Sequence, residues 1–220
     1  MAAPGNNGAM KNEETPAALA AGPECGAYAA ALMQARRTTL PKRLGAPAPN
    51  PQQLAQILAS AAHAPDHGQL LPWRFIEVPQ PARSALAEAF AAALLARDPG
   101  ALPEQVEQAQ EKAYRSPVLL LVVVDVACGD PCIEPAERMV SAGCAVQNML
   151  LMATALGFGS ALTSGKALTS VALRALFSLG EHQQALCFVS IGTVMVPKPA
   201  RTRPHYSRYC EVLHLPSTAS

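Results

Sequence analysis

The chain has 220 residues, with 17 Lys and Arg against 16 Asp and Glu and a formal net charge of +1. Half of the residues are hydrophobic and 15% are charged, which gives a folded chain with a full core and excludes a largely disordered one. The near-neutral balance leaves no basic footprint for nucleic acid or an anionic membrane, and 5% aromatics make no base-stacking platform.

Residues 1–24 are mostly Ala, Gly, Pro, Asn and Glu without periodicity and read as a disordered extension ahead of a single domain over 25–220. Helical patterning runs from Tyr28 to Met33 and gives way at Arg36-Arg37, with Pro41 stopping any continuation. After a stiff proline-rich loop, Asn50 caps a helix with Pro51 in its first turn and Leu54, Ile57, Leu58 and Ala61 at helical spacing. Pro65 ends it near His63. Trp73–Val78 alternates as a strand, Ala82–Ala96 is a helix, and Pro103 opens another through Ala113.

Val118–Asp125 is nearly all β-branched or leucine and reads as a central strand buried on both faces. Residues 127–136 are a loop. Glu137–Leu156 is the longest helical run; Val140, Cys144, Met149 and Met152 make it apolar on nearly all sides, as expected of a core helix, and Gly157 stops it. A short extended piece spans Phe158–Thr163, a short helix runs from Ser170 through Phe177, and Ala185–Val194 is a second inner strand. Residues 197–204 form a basic tail, followed over Tyr206–Leu215 by a final strand or helix. The predicted fold class is α+β: a three-layer α/β/α sandwich with helices on both faces of a central sheet. No G-x-G-x-x-G follows a strand, so a Rossmann domain is not expected.

None of the six cysteines forms a C-x-x-C pair, and Cys144 and Cys187 sit in apolar patterns where reduced thiols act as small hydrophobes. The opening MAAPGNNGAMKNEET has no apolar leader, and the aliphatic run Val118–Val124 is too short to cross a bilayer. A cytoplasmic, reducing setting without membrane contact is the expectation.

Three groups of residues carry candidate chemistry. Arg36-Arg37-Thr38 combines guanidinium charge with a hydroxyl, the donor set that a phosphate requires, although a basic helix end is the plain alternative. His63 and His67 lie four apart around Asp66, a spacing that suits a metal on a helix, but Pro65 interrupts that helix and no third ligand is evident. Leu162-Thr163-Ser164-Gly165 offers small residues and hydroxyls to a planar ligand, or simply a turn.

Taken in order, ARRTT, a proline-initiated helix and APDHGQLLPWRF resemble the FMN-dependent nitroreductase family, in particular its YdjA-like bacterial branch, over roughly residues 28–205. The resemblance implies FMN as cofactor, with Arg36, Arg37 and Thr38 on its phosphate and ribityl chain. It also implies His63 and His67 reaching FMN held mainly by the other subunit, and Leu162, Thr163 and Ser164 standing where the branch has Trp-Arg-Ser. The resemblance further implies that Gly192, in an Ile-Gly-Thr strand end, lies beside the phosphate, and that Arg203 is the basic residue on it, with a solvated basic tail as the plain alternative. Trp73 is expected to pack in the core and Gln147-Asn148 to be structural amides in a buried helix.

The implied activity is an NAD(P)H oxidoreductase. It would work as a homodimer with FMN at its interface, passing electrons by ping-pong hydride transfer through flavin N5 to nitroaromatic or quinone acceptors, with no catalytic side chain beyond the flavin and no bound metal. The alternatives are a non-catalytic flavin-binding protein and a metal-binding protein built on His63, Asp66 and His67.

Overall fold

The computed structural model describes residues 22–199 and 201–214. In chain order the elements are α1 (Pro23–Ala35), β1 (Leu44–Gly45), α2 (Pro51–Ala59), β2 (Trp73–Glu77), α3 (Arg83–Arg97), α4 (Pro103–Glu111), β3 (Val118–Asp125), α5 (Pro135–Ala155), β4 (Gly159–Thr163), α6 (Val171–Leu176) and β5 (Gln183–Val194). The sheet runs β1-β5-β3-β2, with β4 also on β5, and every ladder between these strands is antiparallel. The α+β layering is as the sequence predicts.

β3 explains the layering. Val118, Leu120, Val122 and Val124 point into one core with Trp73, Ile57, Ala61 and the inner side of α5, while Leu119, Leu121 and Val123 point into a second core with Leu86, Leu173 and Phe188. A strand with apolar side chains on both faces has to be covered by helices on both faces. Trp73 packs in the first core as expected, and its indole Nε1–H donates to Ser141 Oγ of α5 at 3.1 Å.

Local signals set the helix starts. The Asn50 side chain accepts from the Gln53 amide at 2.8 Å while the Gln53 side chain accepts from the Asn50 amide, a reciprocal cap at the start of α2. Ser170 caps α6 by accepting from the Leu173 amide. α2 stops at Ala59 and tightens into a 3₁₀ turn over Ser60–His63, which delivers the chain to Pro65.

The structure differs from the sequence reading in three places. α1 starts at Pro23, inside the stretch read as an extension, and buries none of its residues; residues 1–21 lie outside those described. α5 is not apolar-buried all round: Ala142, Ala145, Val146, Met149 and Ala153 are inside, but Val140 is 65% exposed and Gly143 and Gln147 share its open side. Residues 201–214 form neither strand nor further helix, only a single turn at Tyr206–Arg208, because no neighbouring strand is there to pair with them.

Two buried arginines hold loops in place through backbone carbonyls, with no salt bridge to a carboxylate among the described residues. Arg83, 1% exposed, donates to the carbonyls of Val78, Ala113 and Pro117, tying the end of β2 to the approach to β3, and burial lowers its pKa. Arg138, 2% exposed, donates to the carbonyls of Cys128, Asp130 and Ile133 and so shapes the loop ahead of α5. Arg83→Met would leave three carbonyls without donors. Urea unfolding should then show a loss of about 3 kcal/mol or more, on the usual cost of orphaned buried acceptors; a change under about 1 kcal/mol would show that the clamp is redundant.

Candidate functional site

Where α1 ends, the chain turns extended at Arg36 and runs alongside β4: Thr38 forms a parallel bridge with Ser160, and the Thr39 amide donates to the Ser160 carbonyl at 2.9 Å. This crossing places Arg36, Arg37 and Thr38 at the edge of the sheet. The C-terminal segment returns to the same place, where Arg203 Nη2 lies 3.5 Å from the Arg36 carbonyl and Arg37 Nη1 donates to that carbonyl at 3.3 Å and to the Gln34 carbonyl. Three guanidinium groups therefore gather, and among the described residues none of them is paired with a carboxylate. Burial, then the charges of Arg203 and Arg37, lower the pKa of Arg36. Uncompensated positive charge on a segment that also carries Thr38 is the donor chemistry of an anion site. On the bridged strand Ser160 is 1% exposed, and its hydroxyl has no hydrogen-bond partner among the described residues, an orphan that native interiors rarely leave without a reason.

Gly192 pairs with Gly159 across the β4–β5 ladder and is two strand spacings from the Thr38 segment, about 10 Å. Its missing side chain has a packing cause. A Cβ there would stand 2.8 Å from Pro117 Cδ and 3.0 Å from the Gly45 carbonyl oxygen.

A cavity of about 320 Å³ opens between α5 and the sheet, lined by Gly143, Val146, Gln147 and Leu150 together with Leu162, Ser164, Leu186 and Cys187. The pleat divides the Leu162-Thr163-Ser164 triplet. Leu162 faces the cavity opposite Val189, while Thr163 is registered with Phe188 and the other core. The register of β3 on β5 slips between Val122 and Val123, leaving Leu186 as an extra residue. This bulge brings both Leu186 and Cys187 to the cavity side, where strict alternation would have brought one. The buried Cys187 thiol has its pKa pushed up to about 11 by desolvation, so it is a neutral wall and not a nucleophile at neutral pH. Gln147, read from sequence as a structural amide, is instead exposed and lines this opening.

The histidine segment is elsewhere on the chain. His63 ends the 3₁₀ turn and is exposed. His67 Nδ1 lies 2.7 Å from Glu137 Oε2 in the first turn of α5, a partner that no sequence motif announced. Between His67 and Trp73 the backbone is strained. Gln69 and Leu71 have φ of 52° and 48°, and Asp66 Oδ2 holds the turn by accepting from the Leu71 amide at 2.7 Å. Left-handed non-glycine residues of this kind concentrate at binding sites. No hydrogen bond or ion pair among the described residues joins His63 or His67 to the arginine cluster. Nor do three His, Cys, Asp or Glu side chains among them converge to hold a metal.

Comparison with known proteins gives a consistent picture. A family model described as the nitroreductase family matches residues 33–193. A Haemophilus influenzae protein assigned as an NAD(P)H nitroreductase is 38% identical over 157 residues, covering 70% of this chain and 83% of its own. The Escherichia coli K12 protein YdjA, assigned likewise, is 32% identical over 152 residues, 69% of this chain and 81% of its own. Among solved structures, the FMN and NADPH-dependent nitroreductase NfnB from a sphigopyxis strain superposes with a TM-score of 0.65 at 19% identity, covering 85% of this chain and 99% of its own.

The packing around Gly192 makes a separable prediction. Gly192→Ala should cost about 1–3 kcal/mol of stability by overpacking against Pro117 and the Gly45 carbonyl. Thermal or urea unfolding reads that loss, and any anion affinity at the arginine cluster should stay unchanged in the fraction that remains folded.

Proposed function

The chain belongs to the nitroreductase family, and from that premise we propose that it is an FMN-dependent NAD(P)H oxidoreductase working as a homodimer. The observation that carries the reading is the cluster of Arg36, Arg37 and Arg203, unpaired with any carboxylate among the described residues. Two negative charges on a phosphomonoester match that excess, and the guanidinium forks match its oxygens. FMN fits the residues present: the arginines would hold its phosphate, and the apolar cavity edged by Leu162 and Ser164 would offer a surface to its ring system.

When bound, FMN supplies the redox chemistry, accepting a hydride from NAD(P)H and delivering electrons to an electrophilic acceptor such as a nitroaromatic or quinone. The chain's part is binding, orientation and shielding. Arg36 and its neighbours anchor the phosphate, and Leu162, Leu186 and Val146 exclude water. Gln147 and Ser164 provide the polar atoms at the cavity wall, and Cys187 stays protonated and chemically silent.

Two features support a dimer. One is that His67 sits against the first turn of the 21-residue α5 whereas the arginine segment bridges Ser160 just past that helix's last turn, an arrangement that suits delivery of the histidine to a flavin held by the partner. The other is apolar surface left uncovered on a single chain: Val140 on α5, Tyr28 and Met33 on α1, and Tyr206, Tyr209, Val212 and Leu213 on the C-terminal arm.

Three outcomes test the reading. The purified protein should show an oxidised-flavin absorption spectrum that bleaches anaerobically on adding NADH or NADPH; a colourless protein that FMN cannot reconstitute would reject it. Arg36→Ala should weaken FMN binding about ten- to a hundredfold, the scale of a lost charge-assisted contact, as read by flavin fluorescence quenching. Val140→Glu should yield monomers in sedimentation analysis, and those monomers should have lost their flavin.

A further inference from the structure

His67 and Glu137 are joined across a long sequence separation, 70 residues apart, by a 2.7 Å contact. Neither group is buried, with side chains 67% and 46% exposed, so packing does not force the contact. Glu137 is held from two sides. Its Oε1 accepts from the Glu134 amide at 3.3 Å, the back-reaching bond of a helix cap, while Oε2 faces the imidazole. The hydrogen bond from His67, then that from the Glu134 amide, keeps the Glu137 carboxyl below the usual carboxylate range. An ionised carboxylate only accepts, so the proton in the contact belongs to Nδ1.

The surrounding charges are otherwise engaged or spectators. Asp66, on the histidine's own segment, has Oδ2 on the Leu71 amide. Asp130, in the loop before α5, has Oδ1 on the Cys132 amide. Arg138, next to Glu137, has turned its guanidinium onto loop carbonyls. Glu134 is the remaining carboxylate at the start of α5. The positive end of the α5 dipole favours an anion and not an imidazole at this spot, so Glu137 is the group that makes it hospitable to His67.

We propose that Glu137 is a positioning residue for His67: it fixes the ring with Nδ1–H donated to Oε2, leaving Nε2 as the single ring atom free to meet the polar edge of a flavin. What Nε2 meets rests on the flavin-binding reading above; the hold of Glu137 on the ring does not. Outer partners of this kind set both the tautomer and the direction of a working histidine.

Nitrogen NMR of the histidine rings, on the full chain freed of flavin and at alkaline pH, reads the tautomer directly. His67 should be the Nδ1–H form in the wild type and revert to the Nε2–H form in Glu137→Ala. FMN affinities of Glu137→Ala, His67→Ala and the double variant complete the test. Glu137→Ala should weaken FMN about tenfold, the scale of a lost outer partner, and should add little once His67 is gone. An unchanged tautomer in Glu137→Ala overturns the proposal. So does an equal loss of affinity in both backgrounds, which would mean that the residue acts only by capping α5. A wild type that binds no FMN, combined with the tautomer change, would reject the flavin reading while upholding the hold on His67.

Discussion

Val118–Val124 has no polar face to offer solvent, so both sides of β3 must be covered, and nearly every other placement follows from how that is done. α5 and α2 cover one side, α3 and α6 the other, and β5 and β2 pair with β3 on either hand within the sheet. The free energy at stake is large: burying a single Val or Leu side chain contributes about 1.5–3 kcal/mol, and the strand carries a run of them. Because α5 is committed by its inner side to this core, its outer side is presented as a fixed surface. The cavity lies where that helix meets the bulged part of β5.

The two polar assemblies of the molecule obey opposite rules. Arg83 and Arg138 are buried and fully engaged with backbone carbonyls, so they stabilise loops and have nothing left for a ligand. Arg36, Arg37 and Arg203 are crowded together with no opposing charge among the described residues, an arrangement that costs free energy until an anion arrives. The same residue type is thus a clamp in one place and an uncompensated charge in the other, and the difference is the supply of acceptors around it.

Much of this was legible in the sequence. The double burial of β3, the Asn50 cap, the Pro51 helix start and the inner position of β5 follow from apolar periodicity and cap chemistry, which are local properties. The Arg36-Arg37-Thr38 triplet stood out too, since guanidiniums next to a hydroxyl are the donor set an anion requires, but the approach of Arg203 to it carried no signal. What escaped depends on long-range register. Whether Thr163 sits beside Leu162 or behind it is decided by pairing with β5, and the bulge at Leu186 arises only when two strands are laid together. The open side of α5 was misread because Val140 and Cys144 look like core residues until the other helices leave them uncovered. Glu137 carried no signal, because a carboxylate in the first turn of a helix is ordinary until a histidine from another segment arrives beside it.

The contrast between the two sets of arginines bears on how the molecule answers ionic strength. Carbonyl-bound, buried guanidiniums are shielded from mobile ions, whereas a cluster at the sheet edge is screened within about 8–10 Å at ordinary ionic strength. Dissolved electrolyte therefore acts on the cluster while leaving the clamps alone. The charge of the sheet-edge cluster and the integrity of the fold thus respond to separate solution variables in this protein.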